Sequence, residues 1–328
     1  MRAAWYERQG KAADVLRVGE LPDPEPGPGE VRVRVHYSGI NPGDVKKRHG
    51  VEGALMPYPR VVPHSDGAGV IDRVGEGVDR GRTGRRVWIY GAQSYRPSGT
   101  AAEYTVVPHT LAVDLPDTVD EQTGACLGIP GITAHRALFV DGPLTGATVL
   151  VHGALGAVGS IAAQLAHRAG AHVITTVRRT EDLARLRGPA MAHAVALDSP
   201  DALTAIQAYA TGGVDRIIEV SLSDNADLDA AVAGNDAVVA AYASRAERPY
   251  IPFWPLLFNN VSLRLFGSDD FPAVAKQQAA TDLTAAAEAG ELTIAVAPPL
   301  PLSEIVRAHD RVEQGSRGRT VLAIDAAG

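Results

Sequence analysis

Residues 149–159 read Val149-Leu-Val-His-Gly153-Ala-Leu-Gly156-Ala-Val-Gly159. The stretch begins as an apolar, strand-like run, turns at a glycine, and passes two more glycines at three-residue spacing. It opens into Ser160-Ile-Ala-Ala-Gln-Leu-Ala-His-Arg168, which has helical composition. The first glycine permits a tight reversal and the second lets backbone N–H groups approach a phosphate. The third lets the helix pack closely on the strand, so that a pyrophosphate sits at the positive helix N-terminus. Three glycines alone specify little; the strand before them and the helix after them give the pattern its meaning.

Downstream, strand and helix patterns alternate. Ala171–Val177 reads as a buried strand, Glu181–Arg187 as a short helix and His193–Leu197 as a third strand. A helix follows over Pro200–Thr211, with proline at its first position. Val214–Val220 and Asp236–Ala241 read as strands separated by a helical Ala226–Val232, and Val261–Phe266 closes the set. This alternation predicts an α/β fold, a doubly wound parallel sheet with right-handed crossovers. Upstream the texture differs. Val31, Val33 and Val35 alternate with Arg32, Arg34 and His36, the period of a half-buried strand. A loop rich in proline and glycine, Pro22–Gly29, precedes them. The polar turn Ser38–Asp44 and the basic run Lys46–His49 follow, then strands at Ala68–Val74 and Arg86–Tyr90 with a turn at Gly75–Gly77. These predict a small β-rich domain that gives way to the α/β pattern at about Gln122. Near the end, Asp282–Ala289 and Ser303–Gln314 read as helices stopped by Gly290 and Gly315, and Thr320–Ile324 as a last strand.

About twenty residues beyond Gly159 the second strand ends, where a dinucleotide fold meets the adenine ribose. An acidic residue there suits the 2′-hydroxyl of NAD. This chain has Arg178-Arg179-Thr180 instead, and two guanidiniums pair with a 2′-phosphate in fork geometry, which predicts NADPH. Glu181 and Asp182 read as first-turn residues favoured by the helix dipole.

Composition sets the outer bounds. The 328 residues suffice for two domains. The hydrophobic content of 45% and charged content of 21% are those of an ordinary soluble protein. A net charge of −7 argues against non-specific nucleic-acid binding and against an acidic membrane surface. The mixed start Met1-Arg-Ala-Ala-Trp-Tyr-Glu lacks a signal-peptide pattern, and the single cysteine, Cys126, forms neither an internal disulfide nor a cysteine-based zinc site. A cytoplasmic location is the expectation.

Several motifs in fixed order carry a resemblance. They are Ser38-Gly-Ile-Asn-Pro42, Ser65-Asp-Gly-Ala-Gly-Val70, Gly128-Ile-Pro-Gly-Ile-Thr-Ala134, the glycine loop, Gly213-Val-Asp-Arg-Ile-Ile-Glu-Val220 and Gly318-Arg-Thr-Val-Leu322. Across nearly its whole length the chain resembles the zinc-independent quinone oxidoreductases of the medium-chain dehydrogenase/reductase superfamily, the group that includes zeta-crystallin. The resemblance implies a Rossmann sheet inserted in a GroES-like catalytic domain. Residues 1–121 and 268–328 would build that domain, residues 122–267 would bind NADPH, and the cofactor would lie in the cleft.

It also implies site residues. Gly153, Ala154, Leu155, Gly156, Ala157 and Val158 would cradle the pyrophosphate, and Thr133 would lie near the nicotinamide ribose. Tyr242, Ala243 and Ser244, with Phe266 and Gly267, would face the nicotinamide, and Arg319 replaces a lysine common there. Asn41 would bond the ribose or the substrate oxygen, or else hold the turn before Pro42. Lys46 would stabilise a developing enolate, or else belong to the solvated basic run. The zinc-dependent relatives carry a cysteine about where Asn41 stands and a histidine about where Ser65 stands, so no metal is expected. His64, next door, reads as a histidine on a loop near the cleft, in a register usually held by glycine. Trp254 and Pro255–Phe258 would line the substrate site or pack at a subunit contact, and packing is the favoured reading.

The leading function is hydride transfer from NADPH to a quinone or to the carbon–carbon double bond of an enone. The alternatives are an enoyl-thioester reductase and a cofactor-binding structural or regulatory protein with little turnover. An apolar sheet-edge strand at 261–266 predicts a homodimer.

Overall fold

In the computed structural model, which describes residues 1–50, 56–315 and 318–324, the apolar run before the glycines is the strand Thr148–Val151, and the residues after them are the helix Ala157–Arg168. The strand has no polar face because it is central. Val149, Leu150 and Val151 are fully buried, with Thr148–Val151 paired to His172–Val177 on one side and Val214–Glu219 on the other. His193–Ala196 lies beyond His172–Val177, and Ala233–Ala241 and then Ser262–Leu265 lie beyond Val214–Glu219. All five pairings are parallel. Numbered along the chain, the strands stand in the order 3-2-1-4-5-6, the arrangement of a Rossmann dinucleotide fold.

Backbone contacts divide the chain into two compact units. The one just described comprises Gly131–Ala279 and Ala289–Thr293. The other comprises Met1–Pro130, Ala280–Glu288 and Ile294–Gly328, so segments from both chain ends share it. Its main sheet is built round the ten-residue strand Glu30–Gly39, which pairs antiparallel with Asp66–Val74 and Tyr104–Pro108. The C-terminal strand Val321–Ala323 pairs antiparallel with Tyr37–Gly39. Val31, Val33 and Val35 are fully buried, as their alternation predicts.

Some elements differ from the sequence expectation. Much of the polar turn and all of the basic run form a single helix, Pro42–His49, while Ser38 and Gly39 end the preceding strand. Asn41 stands at its N-cap, Pro42 opens it and Asp44 accepts from the Asn41 backbone N–H at 2.7 Å, the acid half of a capping box. Pro200 lies outside its helix, which is Ala202–Tyr209, because Ala202 N–H closes a turn onto the Ser199 carbonyl. The short helix expected from Glu181 is a 3-10 segment, Thr180–Arg185. The helix expected over Asp282–Ala289 begins earlier, just after Pro272, and spans Ala273–Glu288; its many alanines carry no face pattern to mark a start. Among the described residues no helix is long and apolar enough to cross a membrane.

Candidate functional site

The glycine loop owes its shape to two glycines. Gly153 takes φ +71°, and a Cβ on Gly159 would collide with the Gly153 carbonyl, so only glycine lets helix and loop approach this closely. The loop is pinned to the neighbouring strand: Ala154 N–H donates to the Thr176 carbonyl at 2.9 Å. Gly156 forms the helix N-cap. Leu155 is one-third exposed and Gly156 is exposed, so this end of the helix is open to solvent. The unsatisfied N–H groups and positive dipole of a helix N-terminus suit a pyrophosphate.

The residue before the loop has a role that the sequence did not display. His152 is fully buried, with Nδ1 2.9 Å from Thr176 Oγ1 and Nε2 2.9 Å from Asp229 Oδ1 and 3.6 Å from Glu219 Oε2. Burial alone would depress its pKa, but Asp229 and then Glu219 outweigh that and raise it. Burial pushes Glu219 up to about 7 against the pull of His152. The Glu219 carboxylate also accepts from Ser221 N–H and Asn225 Nδ2, which ties it to the start of the helix Leu222–Val232. A buried imidazole and two carboxyl groups thus brace the loop from beneath.

The remaining expected cofactor residues of this unit fall at strand ends on the same edge of the sheet. Arg178 and Arg179 follow His172–Val177 and are exposed, Arg179 pairing with Glu181 at 3.2 Å. Tyr242, Ala243 and Ser244 follow Ala233–Ala241; Phe266 and Gly267 follow Ser262–Leu265. Carboxyl ends of parallel strands, where the strand order reverses, are where such sheets bind ligands. Thr133 is buried on the helical stretch Glu121–Phe139, beyond its kink at Gly128.

In the other unit, Asn41 and Arg319 converge on one carboxylate. Asn41 is buried and its Nδ2 donates to Asp66 Oδ2 at 2.7 Å, while Ile129 N–H donates to Asp66 Oδ1 at 2.9 Å. Arg319, 6% exposed, donates from Nη1 to the Ile40 carbonyl at 3.0 Å, and its Nη2 lies 3.8 Å from Asp66 Oδ2. Its Nε and Nη2 are buried without a hydrogen-bond partner. Orphaned guanidinium donors in a buried place are costly and favour an acceptor brought by a ligand. Asp44 is fully buried beneath Asn41, and burial pushes its carboxyl up to about 7. Cys126 is buried here too; burial raises its thiol to about 11, so it is no nucleophile at neutral pH. Lys46 is exposed on the helix Pro42–His49 and joins none of these contacts.

His64 lies, as expected, on a loop, just before the strand Asp66–Val74. It is fully buried, and its φ of +78° explains a register otherwise suited to glycine. Arg48 is fully buried too, although its neighbours in the basic run are not. Arginine only donates, which orients the whole chain of bonds. Arg48 Nε donates to His309 Nδ1 (3.3 Å), His309 Nε2 to His64 Nε2 (3.0 Å), and His64 Nδ1 to Ser38 Oγ (2.8 Å). Ser38 donates to Thr100 Oγ1 (2.7 Å), which donates to the Asp66 carbonyl (2.6 Å). Both imidazoles are neutral: burial, then the neighbouring His309, depresses His64 far below the usual value, and burial with Arg48 takes His309 to about 3.

Asp66, Asp44, Glu219 and Asp229 are the residues that sequence reasoning left unassigned. Asp66 stands inside a quoted motif, and the spacing Asn41-Pro-Gly-Asp44 is that of a capping box, so two signals were present.

Comparison with known proteins agrees with this architecture. Residues 27–117 match the alcohol dehydrogenase GroES-like domain, and residues 157–280 the family described as zinc-binding dehydrogenase. The human quinone oxidoreductase is 31% identical over 323 residues, covering 95% of this chain and 94% of that protein. A mycobacterial protein solved in complex with NADPH superposes with a TM-score of 0.84 at 26% identity, over 99% of this chain and 100% of that one. An NAD-dependent alcohol dehydrogenase gives 0.87 at 26% identity over the same shares. The fold, the glycine loop and the human relative's coverage lead to one conclusion: this chain is an oxidoreductase of the medium-chain dehydrogenase/reductase superfamily and belongs to its quinone oxidoreductase family.

Proposed function

We propose that this oxidoreductase uses NADPH to reduce a quinone, or the carbon–carbon double bond of an enone, without zinc. The observation that carries the reading is the donor set round Asp66. Asn41 and Ser65 stand where the zinc-dependent relatives hold thiolate and imidazole, and the Asn41 amide is already committed to Asp66 Oδ2. An amide and a hydroxyl are poor zinc ligands, so these residues do not fit that metal, and no carbonyl polarisation by it is invoked. An acceptor that is already electron-poor needs none.

The residues fit NADPH. Leu155 and Gly156 are exposed at the start of the helix Ala157–Arg168, where a pyrophosphate would lie, Arg178 and Arg179 follow the second strand where a 2′-phosphate would lie, and Arg319 has two donor nitrogens without acceptors. Gly153 to Val158, Thr133, Tyr242 to Ser244, Phe266 and Gly267 complete the proposed contacts. Bound NADPH supplies the hydride. Asn41, fixed by Asp66, offers its remaining amide proton to a substrate or ribose oxygen. Lys46 provides a positive charge for a developing enolate, with solvent as the proton source. The mammalian and mycobacterial relatives support this reading, and a cytoplasmic setting and a homodimer through the edge strand Ser262–Leu265 belong to the same proposal.

The test is a panel of acceptors: a naphthoquinone, a short alkenone and crotonyl-CoA, each with NADPH or NADH, while metal content is measured on the same preparation. Turnover of quinone or alkenone with NADPH in a zinc-free preparation is expected. Stoichiometric zinc, or turnover confined to crotonyl-CoA, overturns it. Arg178→Ala with Arg179→Ala should lower kcat/KM for NADPH at least tenfold and leave NADH unchanged, since only the phosphate contact is lost; an unchanged preference sinks their role. Lys46→Ala should lower kcat with little change in NADPH affinity, and unaltered kcat returns Lys46 to the solvated face.

A further inference from the structure

Beside the braced loop, the sheet's outer portion bounds a half-open pocket of about 300 Å³, at the small end of the range in which proteins bind ligands. Its wall comes from the helix Leu222–Val232, the strand Ala233–Ala241 and the short helix Phe253–Phe258. Leu222, Val239, Ile251, Leu256 and Leu263 make it apolar. The one ionisable group among its lining residues is Asp229.

Asp229 is only half satisfied. It is 1% exposed; its Oδ1 meets His152 Nε2 at 2.9 Å, and its Oδ2 is buried with no hydrogen-bond partner. A buried carboxylate oxygen without a donor costs free energy that a donor from a ligand recovers. The charge count points the same way. The cluster sets two carboxyl groups against one imidazole, a surplus of acid over base next to an apolar chamber. A neutral or anionic apolar molecule would leave that surplus as it is. A cationic one would neutralise it.

The geometry points to a second ligand site in this unit, for a small apolar primary amine whose ammonium group donates to Asp229 Oδ2 while its hydrocarbon body fills the cavity. The site is separate from the proposed hydride transfer and does not rest on it. It does touch the same framework, because Asp229 holds His152 and His152 immediately precedes Gly153.

Hexylammonium, 1-hexanol and hexanoate share a body and differ in the head group, so calorimetric titration of the intact protein at pH 8 with each isolates the Asp229 contribution. Hexylammonium should bind saturably at one site per chain and at least tenfold more tightly than hexanol, with no binding of hexanoate. Asp229→Asn should bring hexylammonium down to the level of hexanol. That variant disturbs a buried cluster, so Leu256→Trp, which fills the cavity from its apolar side, is the independent check. It should abolish binding of all three probes while NADPH titrates as in the parent. Equal binding of the three probes overturns the proposal, as does binding that survives Leu256→Trp. Absence of binding by the parent chain, together with dissociation of its assembly by Leu256→Trp, also overturns it, because the cavity then serves contact between copies.

Discussion

Gly159 shows how much a single residue decides here. A side chain at this position meets the Gly153 and His152 carbonyls, and backbone cannot step aside as a flexible side chain can. Gly159→Ala should therefore destabilise the protein by about 1–3 kcal/mol and raise the Kd for NADPH; an unchanged melting temperature with unchanged NADPH titration would refute this account of the loop. Asp44 makes the opposite kind of demand. Its carboxyl sits at about 7 in the folded chain against an ordinary 3.8, because burial favours the neutral acid. Between those values the folded state holds a proton that the unfolded state has released, so this group makes stability fall as pH rises from about 4 to about 7, by up to about 4 kcal/mol. Above that it changes no further. Urea midpoints measured across this range for the parent and Asp44→Asn should show a downward trend with pH that the variant lacks; parallel curves would mean that Asp44 does not titrate there. The glycines and the Arg178-Arg179 pair were legible because their meaning depends on local spacing. The capping-box spacing of Asp44 was local as well, but its burial was not legible, nor was the role of Asp229, since burial and distant partners come from segments far along the chain. Asp229 meets His152 77 residues away.

At the scale of elements, the helix Pro42–His49 was hidden by its composition. Three consecutive basic residues suggest a solvated face, yet a helix turns each residue by about 100°, and Arg48 lands on the inner side. There it begins the directed chain through His309 on the helix Ile305–Glu313, His64 and Ser38 to Thr100 and Asp66. The same chain explains His64, whose partners lie 26 and 245 residues away. It also makes the element pair sensitive to acid. His309 must accept from Arg48 and His64 must accept from His309, so neither can be protonated without breaking a bond, and Arg48 and His49 add repulsion. With folded pKa values below the unfolded 6.5, the unfolded state takes up protons first. Stability is therefore retained above pH 6.5 and lost as pH falls from there toward about 3. A His309→Gln variant keeps an acceptor and a donor but does not titrate. Its urea midpoint should fall less steeply than the parent's below pH 6.5; the same slope in both would place the acid sensitivity elsewhere.

For the molecule as a whole, the doubly wound parallel sheet was legible in the alternation and the glycine loop, because parallel strands need crossovers and the crossovers have one hand; the order 3-2-1-4-5-6 came only with the structure. The same order leaves Ser262–Leu265 at the margin of the sheet, and its burial pattern is that of an unfinished edge. Leu265 is 72% exposed, and the nearby helix Phe253–Phe258 presents Trp254 at 65% and Phe258 at 74%. A bare edge with apolar side chains is a template for another strand, and proteins that remain monomeric usually protect it with charge, proline or a bulge. Here Arg264, the one charged residue of the strand, is bound to Asp141 by two hydrogen bonds rather than left to repel a neighbour. The proposed pairing of two copies would run through this strand. A Leu265→Lys variant places like charges face to face across a symmetric contact, which is destabilising in cross-strand pairs. Sedimentation equilibrium should show a dimer for the parent and at least a tenfold weaker association for the variant, with the melting temperature of the dissociated chain little changed because the residue is exposed in the single copy. A parent that sediments as a monomer, or a variant dimer of undiminished affinity, would place the contact on another surface and leave the exposed edge without an explanation.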